Sequence, residues 1–224
     1  MIDLSKSHDY FQPEKDDSPI HIVGVGSVGS TVADLLVRSG VTNLVLWDFD
    51  CVEPKNLANQ TFYQKDIGRL KVEATLDNLA MINPEVKKTI QLKPEGWDGQ
   101  LLSGYVFLCV DNIDVRRAIV EKHYNSPFIK AMFDFRTRLE EAQHYAADWA
   151  DEKMKKGFLD SMAFSHEEAK KETPVSACNV ELNVRPTVTS ICSRGVANFM
   201  NFWNGRGIKK LVLDNVYGFM LDAF

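Results

Sequence analysis

The residues of this chain best suited to chemistry are three glycines, three acids and a lysine. Gly24, Gly26 and Gly29 give G-x-G-x-x-G directly after the β-branched run Ile20–Val23. In such a turn the first glycine takes the tight bend, the second lets backbone approach a phosphate, and the third permits close helix–strand contact. With Ser27 they open a helix, whose N-terminal amides and partial positive charge favour an anion. Asp48 and Asp50 close the next apolar run, where an acid commonly accepts hydrogen bonds from ribose hydroxyls. Asp111 closes a further one, 105–110, and its hard carboxylate oxygens suit Mg²⁺ against a triphosphate. Lys71, at a predicted helix start, is placed to reach phosphate as a point charge. These residues read together as a nucleotide site. Two plainer readings stand beside it: a βαβ turn that binds nothing, and an Asp111-Asn112 pair that only caps the helix after it.

Composition narrows the classes. The chain has 224 residues, 45% apolar and 25% charged, which is enough for one substantial α/β domain. A net charge of −5 argues against a general nucleic-acid binder, which needs a basic surface. There is no apolar run of about 18 residues, so no membrane span is expected. The opening Met-Ile-Asp-Leu-Ser-Lys has no signal-peptide pattern, and the expected location is the cytoplasm. The four cysteines, Cys51, Cys109, Cys178 and Cys192, form no C-x-x-C. His166-Glu-Glu-Ala-Lys170 lacks the second histidine of a zinc-protease motif, so neither a disulfide framework nor a structural metal is expected.

The elements that must position the site follow from periodicity. Residues 1–18 are polar and read as an N-terminal arm or an edge element. Ile20–Val23 is a strand, followed by a helix with Val28, Val32, Leu35 and Leu36 on one face and Gly40 as its cap. Residues 43–47 form a second strand, and 51–60 a proline-punctuated loop or single helical turn. A helix opening at Gly68-Arg-Leu-Lys71 buries Val72, Leu76, Leu79 and Ala80 and ends at Asn83-Pro84. Further strands are expected at 86–92, 105–110 and 128–133, with 142–149 as an antiparallel continuation. Helices are expected at 114–123 and 188–203, a charged, solvated helix pair or else a mobile crossover above the nucleotide site at 151–175, and an edge strand at 211–219. The implied fold is α/β: a Rossmann-like open, mostly parallel sheet with an antiparallel C-terminal extension, in one domain over 1–224. Its nucleotide-binding core is 19–135 and its extension 136–224.

Taken in order, these motifs resemble the ThiF/MoeB family, the adenylating domains related to ubiquitin-activating enzymes. The resemblance runs from residue 20 to about 203. It rests on Gly24-Val-Gly-Ser-Val-Gly29, Asp48-Phe-Asp50, Asn56-Leu-Ala-Asn-Gln60, Gly68-Arg-Leu-Lys71 and Cys109-Val-Asp-Asn112. Asp134-Phe-Arg-Thr-Arg138 further resembles phage- and prophage-type ThiF relatives. The resemblance implies ATP-dependent adenylation of a C-terminal carboxylate, usually that of a small β-grasp protein with a glycine-ending tail, with release of pyrophosphate. It implies that Asp48 binds ribose, Asn56 contacts the phosphates, Lys71 neutralises charge near the α-phosphate, and Asp111 holds Mg²⁺. It also implies a homodimer, in which the apolar end 216–224 packs on a second subunit or grips the acceptor's tail by strand addition.

Three departures from the family pattern stand out. Asn59 occupies the place of a phosphate-binding arginine, so Arg69, Arg116 or another arginine must supply that charge. The family's paired C-x-x-C motifs are absent, and residues 1–20 hold no arginine to lend to a partner subunit. Cys178, in Ser176-Ala-Cys-Asn179, aligns loosely with a cysteine that some relatives use for a thioester; its plainer role is a small buried hydrophobe. Two other functions fit parts of the chain. A non-catalytic nucleotide-binding relative that serves as a partner-binding module fits Asn59. An NAD-dependent oxidoreductase fits the glycine turn, but not Asn56-Leu-Ala-Asn-Gln60 or Gly68-Arg-Leu-Lys71.

Overall fold

The longest uninterrupted apolar runs lie where both faces of a sheet are covered. A computed structural model of the chain describes residues 2–172 and 182–224. Its strands are β1 (Ile20–Val23), β2 (Leu44–Trp47), β3 (Gln91–Lys93), β4 (Gly104–Leu108), β5 (Ile129–Thr137), β6 (Glu141–Asp148), β7 (Leu211–Asn215) and β8 (Met220–Ala223). They form one eight-stranded sheet in the order β3-β2-β1-β4-β5-β6-β7-β8. Neighbours from β3 through β5 are parallel; β6, β7 and β8 continue antiparallel. Every residue of β1, β2 and β4 is buried, which is why these central strands show no polar alternation.

The helices are α1 (Ser27–Arg38), α2 (Lys71–Ala80), α3 (Val86–Thr89), α4 (Ile113–His123), α5 (Glu152–Asp160), α6 (His166–Glu172) and α7 (Arg185–Trp203). Alternate strand residues divide between two cores. Ile20, Ile22, Leu44, Leu46 and Phe107 pack with Val32 and Leu36 of α1, Val72 of α2 and Phe199 of α7. Val23, Val45, Trp47 and Leu108 pack with Ile119 of α4 and Phe158 of α5. Among the described residues no helix is long and apolar enough to cross a membrane.

Four elements differ from the sequence reading. The 1–18 arm is anchored to the core by one residue: Phe11 is buried against Phe199 and Trp203, at ring distances of 6.2 and 5.6 Å. Asp16 fastens it further, accepting from Tyr105 at 2.8 Å and Lys130 at 2.6 Å. Residues 86–92 divide into the single helical turn α3 and the three-residue β3. The expected strand 211–219 is a hairpin, because Asn215 Oδ1 accepts Gly218 N at 2.7 Å and turns the chain into β8. The 188–203 helix starts earlier, at Arg185, where Pro186 suits its first turn. The charged pair within 151–175 is present as α5 and α6.

Gly195 is where α7 meets the sheet most closely. A Cβ there would fall well inside contact distance of the Phe135 ring and 3.2 Å from His144 Cε1. Gly195→Ala is therefore expected to cost about 1–3 kcal/mol, as overpacking does. A lower urea midpoint at unchanged slope would report it.

Two buried histidines set an acid limit. His144 Nδ1 donates to Asp134 O at 3.0 Å and Nε2 accepts from Asn198 Nδ2 at 3.1 Å, so its neutral ring is satisfied. Burial pushes it down to about 4, against the pull of Asp134. Burial, then the field of His123 and Lys93, brings His21 to about 4 as well. The unfolded rings take up protons below their ordinary 6.5 while the folded ones do not. Stability is thus lost as pH falls from about 6.5 toward about 4, by about 3 kcal/mol per ring at most. Urea unfolding at about pH 7 and about pH 5 should show the decline; flat stability across that interval would contradict it.

Candidate active site

In a parallel sheet the carboxyl ends of neighbouring strands finish side by side, and ligands bind there. Val23 of β1 pairs with Trp47 of β2 on one side and Leu108 of β4 on the other. Gly24, Asp48 and Cys109 therefore leave the sheet together. Gly24 N donates to Trp47 O at 2.8 Å and Cys109 N to Val23 O at 2.8 Å. Gly24 has φ +90, and a Cβ on it would lie 2.7 Å from Val110 N. Only glycine allows this turn to lie against the segment leading to Asp111. At Gly29 a Cβ would run into the Gly24 carbonyl, whereas at Gly26 it would meet nothing within 4 Å. Helix α1 follows with Gly26 as its cap residue and no side-chain cap, leaving first-turn amides free for an anion.

Asp48 braces this turn. Its Oδ2 accepts Val25 N at 2.6 Å and its Oδ1 accepts Asp50 N at 2.9 Å. Burial raises its pKa, opposed by the Lys71 charge and by those two amides. Lys71 is buried at the start of α2. Its Nζ donates to Asp50 Oδ2 at 2.7 Å and its backbone N to Asp50 O at 2.9 Å. One continuous cluster thus holds the glycine turn, Asp48, Asp50 and Lys71.

The cap beyond β4 is Asn112, whose Oδ1 accepts from Asp114 N at 2.9 Å and Val115 N at 3.4 Å. Asp111 takes no part in that cap. It is exposed, and its carboxylate has no hydrogen bond or ion pair among the described residues. No group of three or more His, Cys, Asp or Glu able to hold a metal occurs among the described residues. A single free carboxylate at the sheet edge nonetheless fits Mg²⁺, which is commonly held by one or two carboxylates plus substrate phosphates.

The remaining candidates are engaged in other ways. Asn56 Oδ1 accepts Glu53 N at 2.8 Å, closing the 3₁₀ turn Pro54–Ala58. Arg69 donates to Asp77 at 2.6 Å and pairs with buried Asp66 at 3.4 Å. Arg116 donates to Asp134 and to Phe135 O, both at 2.6 Å, and through Nε to Val110 O at 2.7 Å. Both arginines are already paired with carboxylates. Asn59 Oδ1 is buried with no partner among the described residues, and its backbone carbonyl accepts from Arg185 at 3.2 Å. No local pattern in the sequence points to this last contact. A cleft of about 630 Å³ lies beside the same loop rather than over the glycine turn, lined by Gln60, Tyr63, Thr75, Asn78, Met81 and Arg185 among others. Cys178 lies outside the described residues. Cys109 and Cys192 are core thiols whose pKa values burial pushes up.

The ThiF family model matches residues 3–217. Ubiquitin-like modifier-activating enzyme 5 of Caenorhabditis briggsae is 39% identical over an alignment of 119 residues that covers 46% of this chain and 27% of that protein. The enzyme of that name from Culex quinquefasciatus is 38% identical over an alignment of 116 residues that covers 45% of this chain and 29% of its own. The chain thus covers well under two thirds of these relatives. Among solved structures, E. coli MccB with ATP superposes with a TM-score of 0.71 at 14% identity, over 97% of this chain and 65% of that one. PaaA superposes with a TM-score of 0.65 at 16% identity, over 92% and 63%. At these identities the two structures speak for the fold, while the family match extends over nearly the whole sequence. The chain belongs to the ThiF family.

Proposed function

We propose that this protein activates the C-terminal carboxylate of a small ubiquitin-like or sulfur-carrier-type protein, or of a peptide, by adenylation with ATP. One observation carries the reading. The uncapped start of α1, Asp48, Lys71 and the unpartnered Asp111 all stand at the adjoining ends of β1, β2 and β4. The names of the relatives support it, as do the MccB structures solved with ATP and with AMPCPP and MccA.

The chemistry asks for placement rather than covalent help. An oxygen of the acceptor's carboxylate attacks the α-phosphorus in line, the bond to the bridging oxygen breaks, and acyl-adenylate and pyrophosphate form. Amides of Gly26 and Ser27 would hold phosphate oxygens, Asp48 the ribose and the Asn56 amide a phosphate. Lys71 would offset charge that builds on the α-phosphate as the leaving group departs. When bound, Mg²⁺ would supply charge neutralisation on the phosphates, with Asp111 as its protein ligand. Asp50 keeps the Lys71 ammonium at the rim until substrate arrives. The reading extends to a glycine-ending tail on the acceptor, a homodimer and a cytoplasmic location.

Exchange of labelled pyrophosphate into ATP, tested with a panel of glycine-ending β-grasp proteins and short peptides, is the direct assay. Exchange that depends on one acceptor supports the proposal. Nucleotide binding with no exchange under any acceptor would favour a binding module instead.

A further inference from the structure

Among the described residues, Arg185 is a cation without an anion. It opens α7 and is half-buried. Its Nη1 donates to Thr31 Oγ1 at 2.6 Å and to Asn59 O at 3.2 Å, both neutral oxygens. Its neighbours in kind are paired: Arg69 with Asp66 and Asp77, Arg116 and Arg136 with Asp134. Among the described residues no carboxylate lies within ion-pair distance of Arg185. A guanidinium held in place by neutral acceptors keeps most of its donors and all of its charge for something else.

The anchors say where that something sits. Thr31 stands one turn beyond Ser27 on α1, and its hydroxyl donates to Ser27 O at 2.6 Å. Asn59 belongs to the loop that returns along the same turn, where Thr61 N donates to Ser30 Oγ at 3.2 Å. Arg185 is therefore fastened to the flank of the helix whose first-turn amides have no side-chain cap. The loop itself brings no positive charge to this spot. It brings two buried oxygens with no partner among the described residues, Asn59 Oδ1 and Gln60 Oε1, which the water around a bound anion would satisfy.

We propose that Arg185 binds the β- and γ-phosphates of the nucleotide, supplying from α7 the charge that the loop at Asn59 lacks. The assignment rests on the ATP-using reading above and adds a residue to it. The two cations then have separate roles. Lys71 serves the α-phosphate, where bonds change, and Arg185 serves the far end of the triphosphate.

Calorimetric titration of ATP and of AMP, both with Mg²⁺, tests this on the full chain. Arg185→Gln should weaken ATP by about tenfold or more, as loss of a charge-assisted phosphate contact does, and leave AMP within about twofold. Arg185→Lys should fall between the two proteins. Asn59→Arg added to Arg185→Gln should recover most of the ATP affinity. Arg38→Gln, which removes a cation already paired with Asp34, should change neither ligand. Circular dichroism checks that each variant folds; if Arg185→Gln does not, the ATP-against-AMP comparison is made on Arg185→Lys. Unchanged ATP affinity, or equal weakening of ATP and AMP, overturns the assignment while the wild type still binds ATP. A wild type that binds no ATP removes the underlying reading, and this assignment with it.

Discussion

Lys71→Ala is expected to abolish ATP–pyrophosphate exchange, with a loss of about a hundredfold or more, while the protein stays folded. The ammonium is fixed at the carboxyl edge, paired with Asp50 and opposing the rise that burial gives the pKa of Asp48, and such a preorganised charge acts where phosphate charge develops. The size of the effect follows from burial. Lys71 has only 7% of its surface exposed, so its position is set before substrate arrives. The cost to folding should be small, because its partner Asp50 keeps a half-exposed side chain that water can solvate. Asp111→Ala should also abolish exchange, and with still less effect on stability, since its carboxylate makes no hydrogen bond or ion pair among the described residues. Pyrophosphate exchange and thermal unfolding of the same samples separate the two properties. Wild-type exchange in either variant would mean that the roles are assigned to the wrong groups.

Asp134→Ala should give the largest loss of stability of any single change considered, about 3–5 kcal/mol, because it leaves buried guanidinium charge without its counter-ion. Asp134 has no exposed surface and accepts from Arg116 at 2.6 Å and Arg136 at 2.7 Å. Burial alone would raise its pKa; the charges and hydrogen bonds of the two arginines overcome that and hold it below the usual carboxylate value. Arg136 continues outward, stacked 4.2 Å over Tyr145 and donating to Ser161 O at 2.8 Å. Arg116 continues inward to Val110 O, beside Asp111. The same change should therefore loosen the acid loop as well as the core. A urea midpoint close to wild type would show that the network contributes little.

How far the sequence can be read follows the range of the contacts. The unit from β1 through α1 to β2 is local, and its turn, helix face and closing acid are each fixed by residues within reach of one another. It is legible for that reason, as are the two-sided burial of β4 and the antiparallel continuation through β6. What the sequence hides is either ambiguous in pattern or decided at long range. Apolar residues run through 216–221, so a hairpin turn set by one Asn215 side chain has the pattern of continuous strand. Phe11 joins the core because Phe199 and Trp203 are there to receive it, and nothing near residue 11 announces this. At the site, the residue types are legible and their engagements are not. Asp48 braces the glycine turn, Asn112 alone caps α4, and Arg69 is held by Asp77 eight positions along the chain. The Arg185–Asn59 contact joins residues separated by 126 positions. No periodicity reaches that far.

Whether these groups share one nucleotide is decided by a crystal structure of this chain grown with Mg²⁺ and a non-hydrolysable ATP analogue. A single nucleotide is expected at the carboxyl ends of β1, β2 and β4, its phosphates on the Gly26 and Ser27 amides, its ribose on Asp48, and Lys71 and Asp111 both in reach of its phosphates. Nucleotide bound wholly elsewhere, away from the Gly26 and Ser27 amides, or touching some of these groups with the others too distant to share it, would contradict the proposed site.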